Sequence, residues 1–257
     1  ILCRFLFLLN RHLILNYLIL LLIFGWLENV YSGAAQPFKM GILIVLYSTI
    51  TWAGMISFGK HQWLRCGECF SVLFDLFARF SPTEIQVTDE WTCEKCPVDC
   101  GVSTEEGCVN CDACFELADW SHKRINLRPY AIGLARPEKM RFPVVAFVIL
   151  ALSLVTFDGL TATPAWGTIY QSVYSFAGTF EITESNIVDS IGLIILPIIF
   201  LLIYMLASWL AKILSKDRDS VREVASRFVF ALVPIVLAYN LAHFLYLLVI
   251  DYSEKDS

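Results

Sequence analysis

Cysteine is the residue type whose number and spacing most clearly suggest chemistry, because eight of the nine cysteines lie in one polar segment. These eight are Cys66, Cys69, Cys93, Cys96, Cys100, Cys108, Cys111 and Cys114. Two C-x2-C pairs are separated by fourteen residues, which is close to a zinc-ribbon spacing. A bound metal would also supply folding energy to a segment too short and polar to bury a large core. The sequence therefore predicts a zinc knuckle with Cys93, Cys96, Cys111 and Cys114 as ligands.

Two other arrangements of these cysteines stay open. Cys108, Cys111 and Cys114 have the spacing of a ferredoxin triplet, and Cys96 before Pro97 could be the remote fourth ligand of an iron–sulfur cluster. Disulfide bonds would instead require the segment to lie outside the cytoplasm. Further metal ligands could come from the other cysteines of this segment, which are Cys100, Cys108, Cys66 and Cys69. If Cys66 and Cys69 bind no metal, they are predicted to be small buried apolar side chains.

A second set of candidate residues lies within apolar stretches. His243 shares a helical face with Asn240, and an ionisable group inside a bilayer is costly enough to suggest a function. At about 1.5 Å per residue, His243 lies about 22 Å and Asp158 about 24 Å from the inner ends of their predicted spans. We therefore expect these two side chains to approach each other. They would serve as a catalytic or metal-binding group, or as a structural contact between helices.

The elements that must position these residues are predicted to be membrane helices. Hydrophobic residues make up 57% of the 257 residues and charged residues 17%, which excludes disorder and argues against a single soluble domain. The net charge of −5 provides no global basic surface for nucleic acid. A bilayer core about 30 Å thick needs about 20 apolar helical residues. Five stretches come close: 13–27, 40–58, 142–157, 191–209 and 228–250.

Three weaker features qualify this pattern. The segments 69–80 and 167–180 are predicted to be interfacial or re-entrant, or else helices packed on their own protein. The first stretch could be a signal peptide, because Arg4 and Arg11 precede its apolar core. We predict an anchor instead, since this N-terminal region is itself too hydrophobic for an ordinary signal.

Lysine and arginine are distributed unevenly between the predicted spans. With the N-terminus inside, 17 of the 19 basic residues fall on the cytoplasmic side and only Lys39 and Lys255 on the other. Positive charge next to a span stays cytoplasmic, so the cysteine-rich segment is predicted to be cytoplasmic as well. The predicted location is a cell (inner or plasma) membrane, crossed several times.

Three stretches of sequence carry a family resemblance: FSVLFDLFARFSPTE (70–84), the long stretch 127–166 that begins LRPYAIGLARPEKM, and FALVPIVLAYNLAHFLYLLVI (230–250). Together they resemble a family of archaeal and actinobacterial multispanning membrane proteins that are often labelled fenitrothion hydrolase. The resemblance covers most of the chain from about Phe70 onward. The family label implies cleavage of organophosphate esters. The family pattern includes no established catalytic residues.

The resemblance also implies that part of the protein is missing. Family members continue with more membrane helices after the third stretch, so this chain is predicted to be a fragment whose absent C-terminal helices are partners of those present. The family often has His at the position of Asn240, which would give a His pair that this chain lacks. The cysteine-rich insertion is not expected throughout the family.

The predicted fold is an all-α, polytopic bundle of about five transmembrane helices with a small cysteine-rich domain. Residues 1–58 form two spans, 59–141 a cytoplasmic loop with the knuckle at 93–114, 142–250 three spans, and 251–257 a polar tail. The predicted function is that of a permease-like or accessory membrane protein with a structural zinc knuckle that could dock a protein partner. The alternatives are a membrane-embedded metal-dependent hydrolase using His243, Asp158 and Asn240, and an iron–sulfur electron-transfer protein.

Overall fold

The computed structural model describes residues 2–33, 36–94, 96, 103–104, 107–135, 142–178, 186–216 and 219–255. The chain divides into two compact units. Unit 1 comprises Ile1–Tyr17 and Gly41–Lys139, and unit 2 comprises Leu18–Met40 and Met140–Ser257.

The described residues form twelve α-helices and four short strands. The helices are α1 Leu2–Asn29, α2 Pro37–Phe58, α3 Lys60–Cys66, α4 Cys69–Ala78, α5 Glu90–Glu94, α6 Asp112–Leu117, α7 Ile132–Ala135, α8 Phe142–Thr161, α9 Pro164–Gly178, α10 Asn186–Ser215, α11 Val221–Phe228 and α12 Val233–Lys255. The strands are β1 Thr83–Val87, β2 Ser103–Thr104, β3 Gly107–Val109 and β4 Lys123–Leu127.

Three helices are long and apolar enough to cross a membrane, namely α2, α8 and α10. A fourth candidate is the pair formed by Val221–Ala231 and Val233–His243, which passes the same test as one bent span. The described apolar part of α1, Leu15–Asn29, is shorter. The part of the chain that the structure describes thus offers three to four candidate spans, consistent with a membrane location, where the sequence predicts about five.

Helix α8 lies at the centre of unit 2, because it contacts α9, α10, α11 and α12. Its sequence is apolar around its whole circumference, which is typical of a helix buried on every side. Phe147 and Phe157 are almost completely buried. Helix α1 approaches α8 closely at Gly25, where an added Cβ would lie 2.5 Å from the Leu154 side chain.

One predicted helix end in unit 2 is wrong, and one predicted span contains a bend. The sequence predicts a third span closed by Asp158 and Gly159, but α8 continues to Thr161, because one glycine inside a helix costs only about 1 kcal/mol. The predicted span 228–250, which no charged residue interrupts, overlaps the bent candidate span, in which the chain bends by 41° before α12. Pro234 lies in the first turn of α12, where its missing N–H breaks no helical hydrogen bond.

Unit 1 contains a four-stranded antiparallel sheet that the all-α prediction did not include. The strand order is β2-β3-β1-β4. Strand β1 pairs along its whole length with β4, from Thr83 opposite Leu127 to Val87 opposite Lys123. On its other side Val87 lies opposite Cys108 of β3. The sheet therefore brings the end of the cysteine-rich segment next to the strand that follows α4.

Arg128 joins this sheet to α4. Its Nη1 lies 3.2 Å from Glu84 Oε2, and the two side chains are only 6% and 9% exposed. Its other guanidinium nitrogens donate to the carbonyl oxygens of Ser81 and Ala78, at 2.9 and 3.1 Å. Arg128 and Glu84 belong to two of the stretches that carry the family resemblance, so one buried ion pair connects them.

Replacing Arg128 by Met is expected to lower the unfolding free energy of unit 1 by about 3–5 kcal/mol, because Glu84 is left buried without its counter-ion. Denaturant-dependent proteolysis of the full chain in detergent would measure this loss. The control is Arg124→Met on the same strand, whose side chain is exposed. The double variant R128M/E84L should regain most of the loss, and an equal loss in R124M would contradict the interpretation.

Candidate functional site

Three local elements, α5, β3 and α6, position four cysteines of unit 1. Cys93 lies in α5, Cys108 on β3, Cys111 immediately before α6, and Cys114 one turn inside that helix. Gly107 has a positive φ of 112°, and a Cβ at this position would collide with the carbonyl oxygen of Val87. This glycine therefore allows β3 to approach β1 closely enough to bury Cys108.

The sulfur atoms of these elements converge. Cys93, Cys108 and Cys114 form one group of mutually close thiols, with all three ligand atoms within 4.8 Å of one another. Cys96, Cys111 and Cys114 form a second such group, so Cys114 belongs to both. Either group could hold a metal ion. Cys93 and Cys108 are joined by a disulfide in this structure, with their Cα atoms 6.1 Å apart.

All four predicted zinc ligands belong to this sulfur cluster, which we define as Cys93, Cys96, Cys108, Cys111 and Cys114. Cys108 joins them, as one of the predicted additional ligands. Cys100 lies outside the described residues. Cys66 and Cys69 belong to neither group among the residues described.

Hydrogen bonds hold the helices α5 and α6 at the two ends of the cysteine-rich segment in place. The Asp89 carboxylate accepts hydrogen bonds from the backbone N–H and the hydroxyl of Thr92, which fixes the start of α5. The hydroxyl bond is the main reason that the pKa of Asp89 lies below its usual value. On α6, Glu116 pairs with Lys60 and His61 of α3. The hydrogen bond from Lys60 contributes most to lowering the pKa of Glu116.

Cys69 lies in a different environment, fully buried in α4. Its sulfur is 3.4 Å from the Tyr47 hydroxyl, which also donates to the neighbouring Glu68. Burial, followed by the negative charge of Glu68, raises the pKa of Cys69 to about 12. A thiol held neutral in this way is a poor metal ligand and a poor nucleophile. The structure therefore favours the buried apolar role for this residue.

In unit 2, the expected approach of Asp158 and His243 is confirmed. His243 Nδ1 lies 3.2 Å from Asp158 Oδ2. Its other ring nitrogen, Nε2, lies 3.7 Å from Glu28 Oε1. The histidine is thus flanked by two carboxylates from α8 and α1, each within reach of a different nitrogen. Such an arrangement can fix the orientation of the imidazole ring through both of its nitrogens.

Sequence reasoning missed Glu28. The available signal was its position directly after the apolar run of the first stretch, at an end where Asp158 was also expected. Asn240, the third candidate, donates to the carbonyl oxygen of Val236 one turn earlier on its own helix, at 2.8 Å. Tyr239, on the preceding position, points its hydroxyl towards Gly159.

Comparison with known proteins provides no relative from which to transfer a function. No protein-family model matches the chain, and neither a curated protein nor a solved structure matches it.

The thiol of Cys69 is expected to resist alkylation in the folded protein. With a pKa of about 12, its thiolate fraction at pH 8 is only about one in ten thousand, and the thiolate is the reactive form. Mass spectrometry after treatment with N-ethylmaleimide should find the less buried Cys66 modified well before Cys69. Denaturation should abolish this difference. Equal rates in the folded protein would contradict the buried environment.

Proposed function

We propose that this is a permease-like or accessory membrane protein whose cysteine-rich domain holds one structural zinc ion. The observation that carries the proposal is the sulfur cluster: five cysteines converge in the core of a small domain that belongs to a chain with apolar helices long enough to cross a membrane. The domain is then a folded platform at the membrane surface, suited to docking a protein partner.

The spacing of the sulfur atoms supports a single metal ion. Zn–S bonds of about 2.3 Å in a tetrahedron separate the sulfurs by about 3.8 Å. Cys96 and Cys111 have their sulfur atoms 3.7 Å apart. An iron–sulfur cluster carries its cysteines on the outside of a larger inorganic core, which spreads the thiolates further apart. We therefore retain zinc as the proposed metal and Cys93, Cys96, Cys111 and Cys114 as its ligands.

The disulfide defines the condition under which this site forms. While Cys93 is bonded to Cys108, three thiols of the cluster remain, namely Cys96, Cys111 and Cys114. Reduction returns Cys93 to the site and completes a set of four thiolates. A reducing compartment keeps cysteines in this form, which agrees with the proposed cytoplasmic side of the domain. The N-terminus is proposed to lie on the same side.

Metal analysis of the full chain, purified in detergent with reductant and without oxygen, tests the proposal. We expect about one zinc per chain and no visible colour, with zinc reduced to near zero by Cys96→Ser or Cys111→Ser. Cys66→Ser is the matched control and should retain zinc, because this cysteine also belongs to a C-x2-C pair but to neither close group.

Two further variants identify the fourth ligand. Cys93→Ser should remove zinc and Cys108→Ser should keep it, and the reverse result would exchange these two residues in the site. Iron with acid-labile sulfide would overturn the zinc proposal and make this a redox protein. Fully oxidised thiols without metal would instead indicate a disulfide-stabilised domain outside the cytoplasm.

The second candidate function is a membrane-embedded, metal-dependent hydrolase, as the family resemblance implies. The contact of His243 with Asp158 and Glu28 is the observation that favours it. A histidine oriented by one carboxylate can act as a general base, and a histidine with carboxylates can bind a divalent metal that activates water. Asp158 and Glu28 are then the residues that orient His243 or share the metal.

Hydrolysis of an aryl phosphorothioate ester by the purified protein tests this second function. His243→Gln and Asp158→Asn should each lower the rate by about a hundredfold or more, as expected for loss of a general base. Asp119→Asn, an exposed residue of unit 1, should leave the rate unchanged. Absence of activity in the wild-type protein with added zinc, manganese or cobalt would exclude this candidate.

A further inference from the structure

One face of the sheet in unit 1 is covered at one end and open at the other. Side chains alternate between the two faces of a strand, so Lys123, Ile125 and Leu127 of β4 share one face. Val87 of β1 lies opposite Lys123 and is buried in the core of the cysteine-rich segment. Further along β4 the face is open to solvent, because Ile125 is 71% and Leu127 is 85% exposed.

Trp120 extends this open face beyond the strand. It lies in the short 3₁₀ turn before β4, and its side chain is 84% exposed. The ammonium nitrogen of Lys123 lies 5.0 Å from the centroid of the Trp120 ring and 5.1 Å from that of Phe115. We define the apolar patch as Trp120, Lys123, Ile125 and Leu127. Tryptophan, aliphatic side chains and a lysine whose stem covers apolar surface are typical of the boundary between a bilayer and water.

Contacts within unit 1 connect the apolar patch to the end of a candidate membrane span. Helix α3 packs on the last turns of α2, where a Cβ added at Gly54 would lie 2.2 Å from the Trp63 ring. Lys60, at the start of α3, forms an ion pair with Glu116 of α6. Glu116 directly follows Phe115, whose ring lies beneath the lysine of the patch. If α2 crosses a membrane, these contacts hold the patch near the bilayer surface.

The charge of the sequence around the patch favours an anionic surface. Residues 121–141 contain six lysines and arginines and one acid, and they lead to the start of α8, another candidate span. Among the basic residues, Arg128 is paired with Glu84 and Arg124 is exposed. Among the acids beside the patch, Glu116 is paired with Lys60, while Asp119 is exposed. Basic segments next to a span are attracted by anionic lipids of the cytoplasmic leaflet.

A second copy of the chain is a less suitable occupant of this face. Strand β4 is at one edge of the sheet, and edge strands can pair with a strand of another chain. Lys123 and Arg124 lie on this strand, and charged side chains on an edge strand, lysine above all, prevent such pairing. The residue types of β4 therefore favour lipid over a second strand.

We propose that the apolar patch lies on the surface of a bilayer that contains anionic lipid. Trp120, Ile125 and Leu127 enter the boundary between headgroups and acyl chains, and the ammonium group of Lys123 lies among the phosphates. The cysteine-rich domain then has an attachment to the membrane in addition to α2. This inference goes beyond the proposed zinc site, and its test requires no metal, so failure of one proposal is distinguishable from failure of the other.

Photo-cross-linking of the full chain in phosphatidylglycerol-rich nanodiscs tests the proposal. The photo-reactive residue p-benzoylphenylalanine replaces Leu127, and mass spectrometry identifies the captured molecule, which we expect to be lipid. The matched control carries the same photo-reactive residue at Arg124, the exposed position of β4 on the opposite face, and should capture little or no lipid. Nanodiscs of phosphatidylcholine alone should lower the lipid yield at position 127 by about twofold to fivefold, because the attraction of the basic residues is lost.

Three results of this experiment would overturn the proposal. They are equal lipid yields at the two positions, equal yields in the two kinds of nanodisc, and capture of a second copy of the chain instead of lipid.

Trp120 fluorescence provides a second readout, obtained as the difference between the emission of the wild-type chain and that of Trp120→Phe. In nanodiscs with brominated acyl chains, we expect most of this signal to be quenched, and aqueous acrylamide to have little effect on it. The double variant I125Q/L127Q changes only exposed side chains and should reverse both results. Phe74→Gln, at an exposed apolar position of α4, is the control and should reverse neither. Equal lipid quenching in the wild-type chain and I125Q/L127Q would contradict the proposal.

Discussion

Sulfur atoms supply half of the buried core around the cysteine-rich segment of unit 1, in the part of the chain that the structure describes. Its core consists of Val87, Cys108, Cys111, Ala113, Cys114 and Ala118, so three of its six buried members are cysteines and two are alanines. Side chains this small remove little apolar surface from water and cannot offset the conformational entropy of the segment by themselves. A cross-link between the sulfurs, such as the Cys93–Cys108 disulfide, therefore stabilises this part of the fold.

The disulfide and the proposed zinc site would use the same sulfur atoms. A disulfide between Cys93 and Cys108 removes two thiols, while a zinc ion needs four thiolates. Cys114 is close to both groups, so neither arrangement requires the strands or α6 to move far. With the proposed zinc site, the redox state of the compartment would decide which cross-link stabilises the domain. The chemistry of the cysteines would therefore depend on the side of the membrane on which this domain lies.

The sequence was sufficient for features that depend on local pattern or spacing. Hydropathy located α2, α8 and α10, the C-x2-C spacing grouped the cysteines, and helical rise paired Asp158 with His243. The sheet could not be predicted in this way, because its strands are two to five residues long and pair across sequence-distant positions. The same is true of Glu28 beside His243 and of Arg128 beside Glu84, which meet only after distant helices and strands have packed.

The acidic residue at the start of α10 has a consequence for the packing of unit 2. Helix α10 has Asp189 in its first turn and Lys212 in its last, which complements the helix dipole at both ends. Trp26 of α1 donates to Ser190 beside the first of these charges, and Trp166 of α9 donates to Asp189 itself. These indole hydrogen bonds hold the ends of α1 and α9 against the start of α10. Asp189 therefore both complements the dipole of α10 and fixes the start of this helix against α9, while Ser190 beside it binds α1.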